Sequence, residues 1–307
     1  MASNGDLTAV LWVHTRRLLA TSTVDIGHSV SLTRISNECY IKCITVVRWK
    51  ERSVDLGLHG RKAIVIGATR GIGRAIAEVL AYEGCDLGIC ARNADQIDAV
   101  VAELNAKGIK AYGAVADAGD PSGLRAFIEE TTGLLGGLDV YVSNASGAFA
   151  GANDEESWRK GVEVDVLGTM HGCEAALPFL ENSDAGAIVL IGTVSAIEAV
   201  GTRRAYNSVK AAILPYSKSV ARDAAAHNVR CNVVSPGQVL FDGGVWDLVK
   251  QHAPDQYADA LARNPMGRMG RPDEVANAVA FLASPRASFI SGTNLICDGA
   301  RTQNVQF

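Results

Sequence analysis

The sequence lacks several features that would point to particular classes of partner. Lysine and arginine total 29 against 33 aspartate and glutamate, which gives a formal net charge of −4 at pH 7. Without the excess of basic residues that phosphate backbones attract, no nucleic-acid partner is expected. No run approaches the roughly 20 apolar residues that a membrane-spanning helix needs. We therefore expect a soluble cytoplasmic protein with no membrane partner.

Cysteine is present, but not in a pattern that indicates disulfides or a metal site. The seven cysteines are odd in number, and most lie within apolar runs. Cys39 and Cys43 are four residues apart, but no second pair or histidine has the spacing of a zinc site. The sequence predicts buried reduced thiols and no metal ion.

The first 52 residues differ in character from the rest of the chain. They contain seven Lys/Arg against four Asp/Glu and show no alternation of strand and helix patterns. We predict a loosely ordered N-terminal extension over 1–52, followed by a single domain over 53–307. An organelle-targeting leader is the alternative, although Asp6, Asp25 and Glu38 argue against it.

Short apolar runs alternate with segments of helical period from residue 53 onward. The predicted strands cover residues 62–66, 86–90, 110–115, 139–143, 187–191, 229–234 and 293–297. Asn93 can cap a helix over 94–107, and Asp120 followed by Pro121 opens the next helix. The alternation predicts an α/β fold, a doubly wound and mostly parallel seven-stranded sheet with helices on both faces. Such sheets bind ligands at the carboxyl ends of their strands.

A glycine-rich turn directly follows the first predicted strand. In the stretch GATRGIGRAIAEVL, Gly67, Gly71 and Gly73 stand between that strand and a helix beginning near Ile72. Glycines let the backbone approach a phosphate closely, and a helix N-terminus offers free N–H groups and the positive end of its dipole. This context favours a dinucleotide site over a turn that is merely tight.

Two arginines indicate which dinucleotide would bind. The second strand ends in GICARN, with Ala91 and Arg92 where an acidic residue would favour NAD, and Arg70 lies in the glycine turn. Two guanidinium groups suit a ribose 2′-phosphate. NADP(H) is therefore predicted over NAD(H), the alternative being that one or both arginines only face solvent.

A tyrosine and a lysine stand four residues apart at the start of a later predicted helix. This spacing places Tyr206 and Lys210 on one helical face, so both can act on one site. A free tyrosine has a pKa of about 10, and a nearby cation favours its ionised form. Such a pair suits the proton transfer that accompanies interconversion of a carbonyl and an alcohol.

These motifs together resemble those of the classical short-chain dehydrogenase/reductase family over roughly 53–307. GATRGIG matches the family's cofactor turn, except that Ile66 just before it stands where threonine is usual. SNAS at 143–146 resembles the element after the family's fourth strand, and SPG at 235–237 matches its nicotinamide-side loop. The tail from GRMGRPDEV to CDGA is similar to that of 3-oxoacyl-thioester and related ketone reductases. The resemblance implies a Rossmann-type fold and an NADP(H)-dependent oxidoreductase acting on apolar ketones or secondary alcohols, with 3-oxoacyl thioesters among the candidates.

The resemblance also implies roles for individual residues. Those implied to bind the cofactor are Gly67, Arg70, Gly71, Ile72, Gly73, Arg92, Asp117, Ala118, Asn144, Ala145, Tyr206, Lys210, Pro236, Gly237 and Val239. Tyr206 is implied to be the acid/base, with Lys210 as its partner. Thr193, thirteen residues before the tyrosine, is implied to hold the carbonyl oxygen, with Ser195 as the alternative.

Three positions at the expected site depart from the family's pattern. Thr193 stands where serine is usual, and Phe241 stands where threonine often follows the Pro-Gly loop. Asp165 replaces an asparagine that usually links the lysine to solvent through water; it could keep an altered proton relay, or cap or pair locally. A catalytically weak dinucleotide-binding sensor or scaffold is therefore the alternative function.

Apolar residues near the predicted site bear on the substrate. Phe241 and Trp246, in a predicted flap over 238–257, and Phe149, from another loop, predict an apolar carbonyl or alcohol, unless they only pack the flap. The resemblance further implies a homo-oligomer, either a tetramer or a dimer. Helices around 155–180 and 203–226 are its candidate interface.

Overall fold

Seven strands form one parallel sheet in the described part of the protein. The computed structural model describes residues 55–147, 153–199 and 204–305. The strands are β1 (Lys62–Ile66), β2 (Asp86–Ala91), β3 (Ala111–Val115), β4 (Val140–Ser143), β5 (Ala187–Ile191), β6 (Arg230–Pro236) and β7 (Asn294–Cys297). Their order is β3-β2-β1-β4-β5-β6-β7, and every neighbouring pair is parallel. The predicted doubly wound fold is confirmed.

Nine α-helices connect and cover these strands within the described ranges. They are α1 (Gly71–Tyr82), α2 (Ala94–Asn105), α3 (Pro121–Leu135), α4 (Glu155–Gly161), α5 (Gly168–Leu180), α6 (Ala205–Asp223), α7 (Val245–His252), α8 (Pro254–Ala262) and α9 (Pro272–Ala283). A π-helical turn, Val162–Leu167, joins α4 to α5. Such turns are often found at functional sites. The extension predicted over 1–52 lies outside the described residues, and its boundary stays a prediction.

Local sequence signals set the starts of α2 and α3. The Asn93 side chain accepts a hydrogen bond from the backbone N–H of Gln96, and the Asp120 side chain accepts one from Ser122, with Pro121 as the first helical residue. Both caps are as predicted, because these side chains satisfy N–H groups that the helix itself leaves free. Helix α2 ends at Asn105, two residues earlier than predicted.

Apolar side chains cover both faces of the sheet. On one face, Val65 of β1 belongs to a buried cluster with Ile76 of α1 and Val279 of α9. On the other face, Ile64 belongs to a second cluster that includes Ile128 of α3. Successive strand residues point to opposite faces, so the adjacent Ile64 and Val65 fall in different clusters. Helices therefore pack on both faces, as the sequence predicts.

A buried arginine links β6 to the end of α9. Arg230 is 5% exposed, and its guanidinium donates to the carbonyl oxygens of Leu282, Ala283 and Ser284. Carbonyls at a helix end lack partners within the helix and carry the negative end of its dipole, so they offset the buried charge. Burial lowers the pKa of Arg230 from its usual value.

The described residues can be compared with the predictions on thiols, metal ions and membrane spans. The described cysteines are all free, and Cys85, Cys90, Cys173 and Cys231 are buried, as predicted. Cys39 and Cys43 lie outside the described residues. Within these ranges no group of three or more His, Cys, Asp or Glu side chains is arranged to hold a metal ion. Nor does any described helix combine the length and apolar character needed to cross a membrane.

Candidate active site

The carboxyl ends of the central strands lie at one edge of the sheet. Ile66, the last residue of β1, is in register with Cys90 of β2 and Ser143 of β4. The chain continues from β1 to β2 on one side, whereas β4 begins the other half of the sheet. The loops after β1 and β4 therefore leave from neighbouring strands at the point where the strand order reverses, which is where doubly wound sheets bind ligands.

The predicted glycine turn is closely packed against the loop after β4. The Asn144 side chain donates from Nδ2 to the carbonyl oxygen of Gly67 at 2.8 Å. A Cβ atom added to Gly73 would lie 2.1 Å from that oxygen and 2.3 Å from Asn144 Nδ2. One added to Gly67 would lie 3.2 Å from the backbone nitrogen of Ala145. The structure thus brings together four residues that the resemblance implies for cofactor binding.

The N-terminus of α1 offers backbone donors to an anion. Arg70 occupies the N-cap position without a side-chain cap, and the first turn contains no acidic residue. The first N–H groups of a helix, here those of Gly71, Ile72 and Gly73, have no acceptor within it and favour negative charge. The residues present therefore fit a pyrophosphate group, which is the anion that such turns hold.

The residues predicted to contact the adenosine end follow β1, β2 and β3. Arg70 and Arg92 are both exposed, and neither is paired with a described carboxylate. Asp117 follows the end of β3 and accepts a hydrogen bond from the backbone N–H of Gly119. Ala118 is buried. Two guanidinium groups are thus accessible to a ligand near the ends of β1 and β2.

Tyr206 and Lys210 lie one turn apart at the beginning of α6. Tyr206 is half-buried, whereas Lys210 is only 3% exposed. The lysine ammonium lies 2.9 Å from Oδ1 of Asp165 and donates to the carbonyl oxygen of Ile191 at 3.0 Å. The lysine and Asp165 are therefore in direct contact, so no water is needed to link them.

Two backbone groups complete this arrangement, and sequence reasoning missed both. The other oxygen of Asp165 accepts from the backbone N–H of Gly147 at 2.9 Å, and Ile191 supplies the carbonyl that receives Lys210. A backbone group carries no signature in the sequence. The available signal is position, because Gly147 closely follows β4 and Ile191 ends β5.

Both candidate hydroxyls lie just after β5. Thr193 is 6% exposed and caps a 3-10 turn over Val194–Ala196, where its Oγ1 accepts from the backbone N–H of Ser195 at 3.3 Å. A hydroxyl that accepts one hydrogen bond keeps its own O–H for donation. Ser195 is half-buried. The structure brings both residues to the strand-end edge of the sheet.

The loop after β6 carries the remaining predicted contacts. Pro236 ends β6, Gly237 donates its N–H to the carbonyl of Cys297 at 2.9 Å, and Val239 is bridged to Gly270. Trp246 lies on α7 and is half-buried, while Phe149 lies outside the described residues. The loop is thus anchored at its first residues on β7 and beside α9.

Phe241 lies against the glycine turn, a contact that the sequence did not predict. A Cβ atom added to Gly71 would lie 2.6 Å from Cζ of the Phe241 ring. The ring therefore covers the glycine turn, in addition to lying in the predicted flap. The contact joins residues far apart in the chain, so periodicity and spacing could not reveal it.

Comparisons with known proteins identify the family. A family model described as Enoyl-(Acyl carrier protein) reductase matches residues 67–301. Isoepoxydon dehydrogenase patN of Penicillium expansum is 33% identical over 257 residues, which cover 82% of this chain and 98% of that relative. This chain belongs to the classical short-chain dehydrogenase/reductase family. The predicted family is thereby confirmed, and with it the class of oxidoreductases.

Other short-chain dehydrogenase/reductase relatives cover the same part of the chain. The 3-oxoacyl-(acyl-carrier-protein) reductase FabG of Escherichia coli strain K12 is 33% identical over 248 residues, covering 80% of this chain and 98% of its own length. The crystal structure of L-sorbose reductase from Gluconobacter frateurii, complexed with NADPH and L-sorbose, aligns with a TM-score of 0.74 and 28% identity. It covers 82% of this chain and 100% of that one.

Proposed function

We propose that this short-chain dehydrogenase/reductase is an NADP(H)-dependent enzyme that interconverts an apolar ketone and a secondary alcohol. The observation that carries the proposal is the common location of two groups at the strand-end edge of the sheet. One is the glycine turn packed on Asn144; the other is Lys210, which donates to the carbonyl of Ile191 at the end of β5, the strand that the two hydroxyls follow. 3-Oxoacyl thioesters are candidate substrates, supported by the relationship to FabG.

The preference for NADP(H) is supported by charge. Arg70 and Arg92 are exposed near the ends of β1 and β2 and are available to bind a 2′-phosphate through paired N–H donors. The related L-sorbose reductase was crystallised with NADPH. We therefore propose NADP(H), with NAD(H) as the alternative that a substitution at Arg92 tests.

Tyr206 is proposed as the group that exchanges the proton. When bound, a nicotinamide dinucleotide supplies or accepts the hydride. Tyr206 would donate its proton to the carbonyl oxygen during reduction and take it back during oxidation. Lys210 lies one helical turn from Tyr206 and carries the cation that the proposal pairs with it. The O–H of Thr193 or Ser195 would hold the carbonyl oxygen as charge develops there.

The experiment follows oxidation of NADPH and NADH with a panel of apolar ketones and 3-oxoacyl thioesters. We expect turnover that prefers NADPH and that collapses in Tyr206→Phe, because the variant has no proton to give. Tyr112→Phe, which removes a half-buried phenol hydroxyl on β3, is the matched control and should retain turnover. Turnover that survives Tyr206→Phe would show that another group is the acid.

A substitution at Arg92 tests the preference for NADP(H). Arg92→Glu places a carboxylate where the 2′-phosphate would bind, so we expect the Kd for NADPH to rise while the Kd for NADH changes little. An unchanged affinity for NADPH would instead support the NAD(H)-preferring alternative.

A sensor or scaffold that binds the dinucleotide without turnover is the second candidate. It is favoured by the Phe241 ring over Gly71 and by the direct pairing of Lys210 with Asp165. Quenching of protein fluorescence by NADPH with no turnover across the panel would support it. A cytoplasmic location, a small-molecule substrate as the partner and a homo-oligomeric state also stay proposals, and sedimentation velocity tests the last of these.

A further inference from the structure

The Phe241 ring lies on the open face of Gly71. A Cβ atom added to Gly71 would lie 2.6 Å, 2.7 Å and 3.1 Å from three atoms of the ring. A Cβ added to Gly244 would likewise lie 2.9 Å from Cζ of the same ring. The tip of the ring thus lies close to two glycines, and the ring packs at the margin of the buried cluster that contains Val65.

The same face of Gly71 is the one that a pyrophosphate would need. Gly71 is the first residue of α1, and its lack of a side chain is what lets an anion approach the N–H groups of that turn. Phe241 fills the space that the missing side chain leaves. The ring and a pyrophosphate therefore cannot occupy this space together.

The segment that follows the ring buries little side-chain surface, although the Leu240 N–H before the ring donates to Gly270 and the Gly244 N–H after it donates to Phe241. Two residues after Phe241, Gly243 has a φ of +69°, and a Cβ added there would meet nothing within 4 Å. Helix α7 follows and contains no buried residue. Segments with little buried surface open at low free-energy cost, so the ring can leave Gly71 without disturbing the sheet.

We infer that Phe241 sets the affinity for the dinucleotide by competing with its pyrophosphate for the face of Gly71. The inference rests on the proposed dinucleotide function. If the ring covers Gly71 in about nine of ten molecules, the apparent Kd is about tenfold higher than that of the open form. Removing the ring removes this penalty.

The experiment measures binding and needs no substrate. Protein fluorescence is titrated with NADPH, with 2′-phospho-ADP-ribose, which keeps the pyrophosphate but lacks nicotinamide, and with adenosine 2′-monophosphate, which lacks both. In Phe241→Ala we expect the Kd for the first two ligands to fall about fivefold to tenfold. The Kd for adenosine 2′-monophosphate should stay unchanged, because that ligand does not reach Gly71.

Two further variants separate the ring from general effects on the flap. Phe241→Leu keeps an apolar side chain of shorter reach, so its Kd for NADPH should fall less than that of Phe241→Ala. Leu248→Ala, at a 39% exposed position on α7, should leave all three affinities unchanged. Thermal melting confirms that each variant is folded before it is titrated.

Several outcomes would overturn the inference. Equal or weaker binding of NADPH by Phe241→Ala would show that the ring does not compete with the nucleotide, while leaving the proposed function intact. A lower Kd for NADPH with an unchanged Kd for 2′-phospho-ADP-ribose would mean that the ring competes with the nicotinamide and not with the pyrophosphate. Absence of NADPH binding in both the wild type and Phe241→Ala would reject the proposed function and this inference with it.

Discussion

Lys210 and Asp165 form an ion pair that is shielded from water. The ammonium lies 2.9 Å from the carboxylate, and the two side chains are 4% and 0% exposed. Removal of two charges from water costs free energy, which close pairing and further hydrogen bonds must offset. Ile191 and Gly147 supply those bonds. The position of the lysine one turn after Tyr206 is therefore fixed in part by the π-helical turn that carries Asp165.

Removal of the carboxylate should destabilise the protein strongly. Asp165→Ala leaves the ammonium buried without its counter-charge, so we expect the free energy of unfolding to fall by about 3–5 kcal/mol. Asp165→Asn keeps an acceptor for the Gly147 N–H and the same shape, so its loss should be smaller. Urea unfolding monitored by circular dichroism gives both values. Equal losses in the two variants would mean that the lost charge accounts for the effect and that the acceptor for the Gly147 N–H contributes little.

Gly73→Ala should disrupt the glycine turn. The new Cβ would lie 2.1 Å from the Gly67 oxygen and 2.3 Å from Asn144 Nδ2, so the turn or the β4 loop must shift. We expect NADPH binding to weaken at least tenfold. The control is Gly133→Ala, at an exposed position in α3 where a Cβ meets nothing. It should leave binding unchanged and stabilise the helix by about 0.5–1 kcal/mol.

The two hydroxyls after β5 should differ in their contribution to turnover. Thr193→Val keeps the shape of the side chain but removes the O–H that would hold the carbonyl oxygen. We expect kcat to fall about 100-fold, the usual cost of losing one such donor. Ser195→Ala should lower kcat much less. The reverse order would assign the role to Ser195. An NADPH Kd that stays constant in both variants would locate the effect in the chemical step.

Alkaline pH should destabilise the folded state through the buried thiols. Burial raises the pKa of Cys85, Cys90 and Cys173 from 9.0 to about 12. The unfolded chain ionises first, so the stabilisation from the protonated thiols is complete below pH 9 and is lost as the pH rises from there toward 12. Each buried thiol should lower the free energy of unfolding by about 1.4 kcal/mol between pH 8 and pH 10.

Chemical denaturation across this pH range tests the effect. The variant Cys173→Ala should show a shallower loss, because it has one fewer buried thiol to ionise on unfolding. An identical slope in the wild type and the variant would mean that other groups cause the alkaline loss.

The sequence was informative where the signal is local. Asn93 caps α2 through the backbone N–H of Gln96, three residues later, and the glycine turn directly follows an apolar strand. The sequence was less informative about contacts between residues that lie far apart in the chain. The Gly147 N–H reaches Asp165 only because the β4 loop returns to the π-helical turn, and Phe241 reaches Gly71 only through the path of the flap. Such contacts depend on loop geometry, which residue type alone does not encode.

The order of the strands also has a consequence for synthesis. Strand β6 needs β7 on its outer edge, and Arg230 at its start needs the carbonyls at the end of α9, which lie more than 50 residues later in the chain. A ribosome releases the amino-terminal part first. Until Asn294–Cys297 emerges, the nascent chain therefore carries an apolar strand with an open edge, and open edges recruit other chains. Translation that stops before β7 should yield aggregates.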